Sequence, residues 1–184
     1  MNSLANYRLR PITREDLPLL LKWRNSDIVR KRCLNNDIIP WEDHVRWYEK
    51  ISAQAMPLNF IMYNYDIPIG YVGFSDIDKK NARCSIGSYL GDLSNAPMDA
   101  GIALDCLGID YIFSATDYNK VWSFVFTDNV PALKVDEFIG YTKEGCLRQH
   151  FKKEQKFVDV MLYSMLKSEW SSHRKRLWDV IEGT

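Results

Sequence analysis

A chain of 184 residues is long enough to bury a substantial core without metals or disulfides. Its 24 Lys and Arg balance its 24 Asp and Glu, and this formal charge of zero speaks against a role in wrapping nucleic acid, because such domains carry a basic excess. With 46% hydrophobic residues and ten Tyr, the composition excludes disorder.

The cysteines Cys33, Cys84, Cys106 and Cys146 stand far apart, with no Cys-x-x-Cys pair and no His at ligand spacing. Reduced thiols are expected, and neither a zinc site nor a redox motif. The stretch 1–16 has no apolar core of signal-peptide length, and no window approaches the roughly 18 apolar residues of a spanning helix. A cytoplasmic protein without a membrane partner is the expectation, as a monomer or homo-oligomer.

Residues 7–12 alternate apolar and basic side chains, which predicts a half-buried strand. Thr13 and Asp16 have capping-box spacing, with Asp in place of the usual Glu. Leu17, Leu20, Leu21 and Arg24 follow at helical spacing, and Pro18 belongs in the first turn, where its missing N–H matters least. A second helix is predicted over 40–52. Pro40 suits a first helical position, Glu42 and Asp43 suit the positive end of the dipole, and Trp41, Val45, Tyr48 and Ile51 make a face.

Apolar runs at 58–63 and 69–77, joined by the turn-like 64–68, predict an antiparallel hairpin, and a further strand at 82–90 follows the polar turn 78–81. After the irregular stretch 91–97 a long helix runs to about Ala115, with Ala100, Ala103, Leu104, Leu107 and Tyr111 on one face. The continuous apolar run 121–126 predicts a strand buried on both faces. A short helix over 131–139 ends at Gly140, strands follow at 142–151 and 157–166, and an amphipathic helix carries Trp170, Leu177, Trp178 and Ile181. The fold class is α/β of the mixed α+β kind. One domain over 1–184 is expected, its mostly antiparallel mixed sheet of about six to seven strands covered by helices on both faces.

Several motifs give this order a family likeness. Phe126-Thr127-Asp128-Asn129-Val130-Pro131-Ala132-Leu133, followed by Phe138-Ile139-Gly140-Tyr141, resembles the strand, Asn-x-x-(Ser/Ala), helix, Gly-Phe/Tyr segment of the GNAT acyltransferases. That family transfers an acetyl group from acetyl-CoA to an amine. Lys143-Glu144-Gly145-Cys146-Leu147-Arg148, Phe157-Val158-Asp159-Val160 and Lys167-Ser168-Glu169-Trp170 resemble the tail of the RimJ/RimL-type branch. Leu21-Lys22-Trp23-Arg24-Asn25 and Trp41-Glu42-Asp43-His44-Val45-Arg46-Trp47 resemble the subgroup that acetylates the 4-amino group of a UDP-linked amino-sugar in pseudaminic acid biosynthesis. The likeness runs from about Tyr7 to Trp170.

The resemblance implies a splayed sheet, acetyl-CoA as cosubstrate, and a pyrophosphate held at the N-terminus of the long helix, where unpaired amides and the helix dipole meet an anion. Ala96, Asp99, Ala100 and Gly101 fall in that loop. Met98 and Asp99 stand where the subgroup has Arg and the family has Gly, and a carboxylate beside a pyrophosphate repels it unless it turns away. On the residues alone, Asp99 equally suits a well-capped helix. Tyr89, Leu90 and Gly91 fall where a splayed strand frees backbone groups for pantetheine and one amide for the thioester carbonyl. Asn129 and Ala132 are implied contacts to the CoA arm, and Asn129 also suits an N-cap.

Acyl transfer by direct attack needs a neutral amine, a route for its proton and an acid for the leaving thiolate. By resemblance, the acid's position, usually Tyr, falls on Asp136, and a strand Glu's position falls on Ser85. An ionised Asp cannot donate a proton, whereas a buried one with a raised pKa can. Ser85 can relay a proton and is a poor base alone. His44 is a further candidate base, set against the commoner structural role of a lone helical His. Tyr118 and Tyr141 are candidate donors, set against the commoner role of such rings in the core.

Arg24, Asn25, Trp41 and Trp47 lie on the two early helices, which in the family roof the acceptor cleft. Aromatic faces stack a base or sugar, and the planar fork of Arg pairs a diphosphate. The implied partner is a small-molecule amine carried on a nucleotide-sugar, with no nucleic acid, membrane or metal. Trp41 and Trp47 are six apart, so one of them faces outward. Protein N-terminal or ribosomal-protein acetylation stands as an alternative, as does a catalytically weak binding module on the same fold. Edge strands near the C-terminal part suit a homodimer.

Overall fold

A computed structural model describes residues 6–153 and 155–182. After the first strand, β1 (Tyr7–Pro11), the Thr13 amide and hydroxyl donate to Asp16 Oδ2 at 2.7 and 3.0 Å. That half of a capping box starts a single 3-10 turn, Arg14–Asp16, which leads into α1 (Leu17–Asn25) with Pro18 in its first turn. A short helix absent from the sequence expectation, α2 (Asp27–Arg30), follows because Ser26 caps it, its hydroxyl accepting from the Val29 amide. In α3 (Trp41–Ser52) Pro40 is the N-cap rather than the first helical residue, and His44 is the buried side chain. Trp41, placed by its spacing on the inner face, is 45% exposed.

The remaining elements are β2 (Asn59–Asn64), β3 (Ile67–Asp78), β4 (Arg83–Leu90), α4 (Ala100–Ala115), β5 (Lys120–Phe126), α5 (Val130–Ile139), β6 (Thr142–Lys153), β7 (Lys156–Leu166) and α6 (Lys167–Glu182). The sheet runs β1-β2-β3-β4-β5-β7-β6. Among the described residues only β4 and β5 pair in parallel, and α4 is the crossover that such a pair requires. In the β2–β3 hairpin the register slips between Met62 and Tyr63, which pair with Gly70 and Pro68, so the ladder absorbs a residue with no N–H to give.

Period-two alternation sorts the strands between two cores. Phe60, Met62, Val72, Phe74, Cys84 and Ile86 face α4 and α6 in the larger one. Ile61 faces the other way, onto Leu20 and Trp23 of α1. Helix α5 ends as its sequence predicts. Gly140 is left-handed (φ 101°), and the amides of Gly140 and Tyr141 both donate to the Asp136 carbonyl at 3.0 Å. The expectation that β5 is buried on both faces fails: only Val121 and Phe126 are buried. Its neighbour β4 leaves it part-way along, and the apolar run between them lines a cleft.

Candidate active site

β4 and β5 hold register at three pairs, Arg83–Lys120, Cys84–Val121 and Ser85–Trp122, and then diverge. Beyond that point the facing backbone groups of the two strands have no strand partner across the gap among the described residues. Such open edges suit an extended polar ligand. The gap is the floor of a cleft of about 1640 Å³, larger than the few hundred Å³, up to roughly 1,000 Å³, of a site for one small molecule.

The cleft brings together Ser85, Tyr89, Asn129, Ala132 and Asp136 with Arg24, His44 and Trp47. On β4, Ile86 packs into the α4 core while Tyr89 packs on the α1 side, so Ser85 and Tyr89 look toward the roof formed by α1 and α3. Asp136 reaches the gap from the opposite side, on α5.

Asp136 is the most unusual group in the cleft. It is 6% exposed, and its Oδ2 is buried with no hydrogen-bond partner. Burial, then the nearby charges of Asp105 and Glu137, push its carboxyl up to about 8. It therefore holds a proton at neutral pH and meets the condition for an acid. Asp105, one turn into α4, also lines the cleft, and burial pushes it up to about 6 against the opposing pull of the Ser88 hydroxyl. The sequence reading missed Asp105, although an Asp inside the apolar run Ile-Ala-Leu-Asp-Cys-Leu was the available signal.

Ser85 is buried within a small network. Its hydroxyl donates to Asp76 Oδ2 at 2.9 Å and lies 2.7 Å from the Ser75 hydroxyl. Asp76 also lines the cleft. No spacing in the sequence marks it, because it reaches Ser85 only through an irregularity in β3.

On the roof, His44 Nε2 lies 3.1 Å from the Leu17 carbonyl and its ring stacks on Trp47 with centroids 5.1 Å apart. Burial holds this imidazole below its usual range, so it is neutral at pH 7 and ties α3 to α1. Trp47 meets Tyr71 edge-on at 6.4 Å, and Tyr71 stacks on Tyr89 at 5.1 Å, giving a continuous aromatic wall. Arg24 donates through Nη2 to the Asn35 carbonyl, while its Nη1 is buried without a partner.

Other candidates lie apart from this cleft. Asn25 uses both ends of its amide on Ile39, donating to its carbonyl and accepting from its N–H at 2.9 Å each, so it pins the loop before α3 rather than meeting a substrate. Trp41 is the outward member of its pair and does not line the cleft. The Gly91 amide is occupied by the Ile69 carbonyl at 2.9 Å, and the Trp23 ring covers its α-carbon, so it is not free for pantetheine. Leu90 and Ala96 pack against the larger core.

At the α4 N-terminus, Ala100 is fully buried and Gly101 lies against Val135 of α5. Asp99 takes the N-cap position, but its carboxylate accepts from the Tyr7 hydroxyl of the edge strand β1 at 2.7 Å. Asn129 holds the N-cap position of α5 without a side-chain cap bond, leaving its amide in the cleft.

Among the described residues no cluster of His, Cys, Asp and Glu has metal-site geometry, and no helix is long and apolar enough to cross a membrane.

Known proteins share this architecture. The chain is 29% identical over 178 residues to the uncharacterized N-acetyltransferase p20 of Bacillus licheniformis, covering 93% of this chain and 99% of that one. It is 25% identical over 159 residues to the acetyltransferase PseH of Campylobacter jejuni, covering 81% and 95%. The structure of spermidine N-acetyltransferase from Vibrio cholerae, solved with CoA and spermine, superposes with a TM-score of 0.84 at 18% identity over 91% of this chain and 99% of that one. Residues 6–142 match the Acetyltransferase (GNAT) domain family. The chain is a member of the GNAT acetyltransferase family.

Proposed function

We propose that the protein transfers an acetyl group from acetyl-CoA to the primary amine of a nucleotide-linked amino-sugar. One observation carries the reading: the gap between β4 and β5 has a proton-bearing carboxyl, Asp136, on one side and an aromatic, cationic wall on the other. The likeness to PseH supports the choice of acceptor.

The unpaired edges of β4 and β5 fit the amides of a pantetheine arm, and Asn129 and Ala132 flank its path. The first-turn amides of α4, beside Gly101, suit a pyrophosphate. Acetyl-CoA supplies an activated acyl carbon. Asp136 holds the proton that the sulfur takes when it leaves. Trp47, Tyr71 and Tyr89 stack the base or sugar, and the guanidinium of Arg24, which lines the cleft, pairs a phosphate.

Calorimetric titration with acetyl-CoA, followed by thiol release on adding UDP-4-amino-sugars, tests the reading. Micromolar binding with sugar-dependent thiol release supports it. A folded protein that leaves millimolar acetyl-CoA unbound would end it. Arg24→Ala is expected to raise the KM for the sugar about tenfold, the loss of one charge-assisted bond of roughly 1.5 kcal/mol, with the acetyl-CoA affinity unchanged.

Asp99 yields a separate prediction. Tyr7→Phe releases its carboxylate toward the pyrophosphate and weakens acetyl-CoA binding by about 1 kcal/mol, roughly fivefold. Adding Asp99→Gly restores the affinity. A single Tyr7→Phe variant that binds as wild type would mean that the carboxylate has no path to the phosphates.

The carboxylates Asp37, Asp43 and Asp76 in the acceptor half of the cleft favour a second reading, a polycationic amine. Turnover of spermidine in place of the sugar is its signature.

A further inference from the structure

We propose that Asp76 is the catalytic base, aimed into the cleft by a β-bulge and steered by Ser85; this rests on the acetyl-transfer reading above. The register of β3 against β4 runs from Ser75–Ser85 to Asp78–Arg83, so that Asp76 and Ile77 together face Cys84 alone. Asp76 adopts a left-handed backbone, φ 48°. Asp tolerates that region better than most residues, yet it costs about 1 kcal/mol. A bulge turns a side chain out of the alternation of its strand and is enriched beside active sites. Here it carries a carboxylate to Ser85 Oγ, 2.9 Å away, on the cleft side of β4.

Ser85 is 8% exposed and forms one hydrogen bond with the Ser75 hydroxyl and one, as donor, with Asp76. It fixes one carboxylate oxygen of Asp76 and leaves the other for the acceptor. The position that would hold a Glu by resemblance thus keeps its carboxylate, delivered from the neighbouring strand. His44 is poorly placed for the same task, since one ring nitrogen lies on the Leu17 carbonyl and the ring is stacked on Trp47.

The proton balance follows. The acceptor enters as an ammonium ion and gives one proton to Asp76. The freed nitrogen lone pair forms the C–N bond at the thioester carbonyl carbon, whose π pair moves onto oxygen. As the C=O bond reforms, the C–S bond breaks with its pair on sulfur, and Asp136 supplies the proton that makes the thiol. Asp76 passes its first proton to water, takes the surplus proton from nitrogen and passes that one to water as well, while Asp136 is reprotonated from water. One proton is released for each amide formed.

The test compares two small nucleophiles that need no specific acceptor site. Methylamine is protonated at neutral pH and needs a base, whereas hydroxylamine is largely neutral and needs one far less. With acetyl-CoA present, Asp76→Asn is expected to lower thiol release with methylamine about 10²-fold, and at least tenfold more than with hydroxylamine. Ser85→Ala falls between wild type and Asp76→Asn, because the carboxylate stays but loses its steering bond. Acetyl-CoA affinity by calorimetry controls for folding and is expected to be unchanged in both variants. Equal losses with the two nucleophiles, or no loss with either, would overturn Asp76 as base while leaving acetyl transfer intact. A wild-type protein that binds acetyl-CoA yet releases no thiol above the uncatalysed rate with these nucleophiles, with UDP-4-amino-sugars or with spermidine at any pH would overturn the acetyl-transfer reading itself.

Discussion

Asp136→Asn is expected to lower turnover about 10²-fold while making the folded protein more stable at pH 8. The amide can donate a hydrogen bond to the leaving sulfur but cannot give up a proton. The stability gain comes from the same burial that makes the group an acid. Below about pH 4 the carboxyl is protonated both in the folded chain and in the unfolded one, where it has its ordinary value of 3.8, and its burial adds no pH-dependent cost. As pH rises, the unfolded chain ionises while the folded chain holds the proton until about 8. Stability is therefore lost across that window. The total is on the order of 5 kcal/mol at 1.36 kcal/mol per unit of pH, partly offset in the variant by burying an unsatisfied amide at roughly 1–3 kcal/mol. Urea denaturation at pH 5 and pH 8 measures the balance: the variant's advantage should widen at the higher pH. The wild-type rate should also fall as pH rises through about 8, and that limb should be missing from the variant. A stability difference that is the same at both pH values would mean Asp136 carries no proton there.

Gly91→Ala is the second large effect, and it acts on the fold. A Cβ at Gly91 would lie 2.0 Å from Trp23 Cδ2, 2.3 Å from Cγ and 2.5 Å from Cε3. Neither side can yield cheaply. The Gly91 and Asp92 amides both donate to the Ile69 carbonyl, which fixes the end of β4, and Trp23 is 5% exposed in the smaller core. The indole must leave its site, taking α1 off the sheet. The expected cost is about 3 kcal/mol, a fall in Tm of roughly 6–12 °C. Gly145→Ala on β6, where nothing lies within 4 Å of the added carbon, is the control and should melt within about 2 °C of wild type. Arg24 follows Trp23 on α1, so the displaced helix should also raise the acceptor KM. A Gly91→Ala protein that melts with wild type would show that Trp23 has another place to go.

Local patterns in the chain were enough for most elements. The Thr13–Asp16 capping pair, Pro18 at the start of α1, the Gly140 stop and the alternating strands all act within a few residues, and spacing reveals interactions of that range. The Asn129-to-Tyr141 motif runs along the floor of the cleft, and the family resemblance placed the usual position of the acid on Asp136, which lines it. Whether that Asp is charged was beyond the sequence, because its state depends on burial and on Asp105, a residue from another helix. The family resemblance also offered Asn25 and Gly91 as site residues, and only the packed structure reveals that Ile39 and Ile69 already occupy their polar groups.

What the sequence determined by itself is the family, the order of strands and helices apart from the short α2, and the strand–helix segment that floors the cleft, since each is written in contiguous residues. Tertiary structure alone decided that Asp99 turns to Tyr7, that β4 and β5 part after Ser85, and that Asp76 meets Ser85 across a bulge. Those three features join residues between 9 and 92 positions apart or depend on where pairing stops. Long-range contact and desolvation set them, and neither leaves a period in the chain.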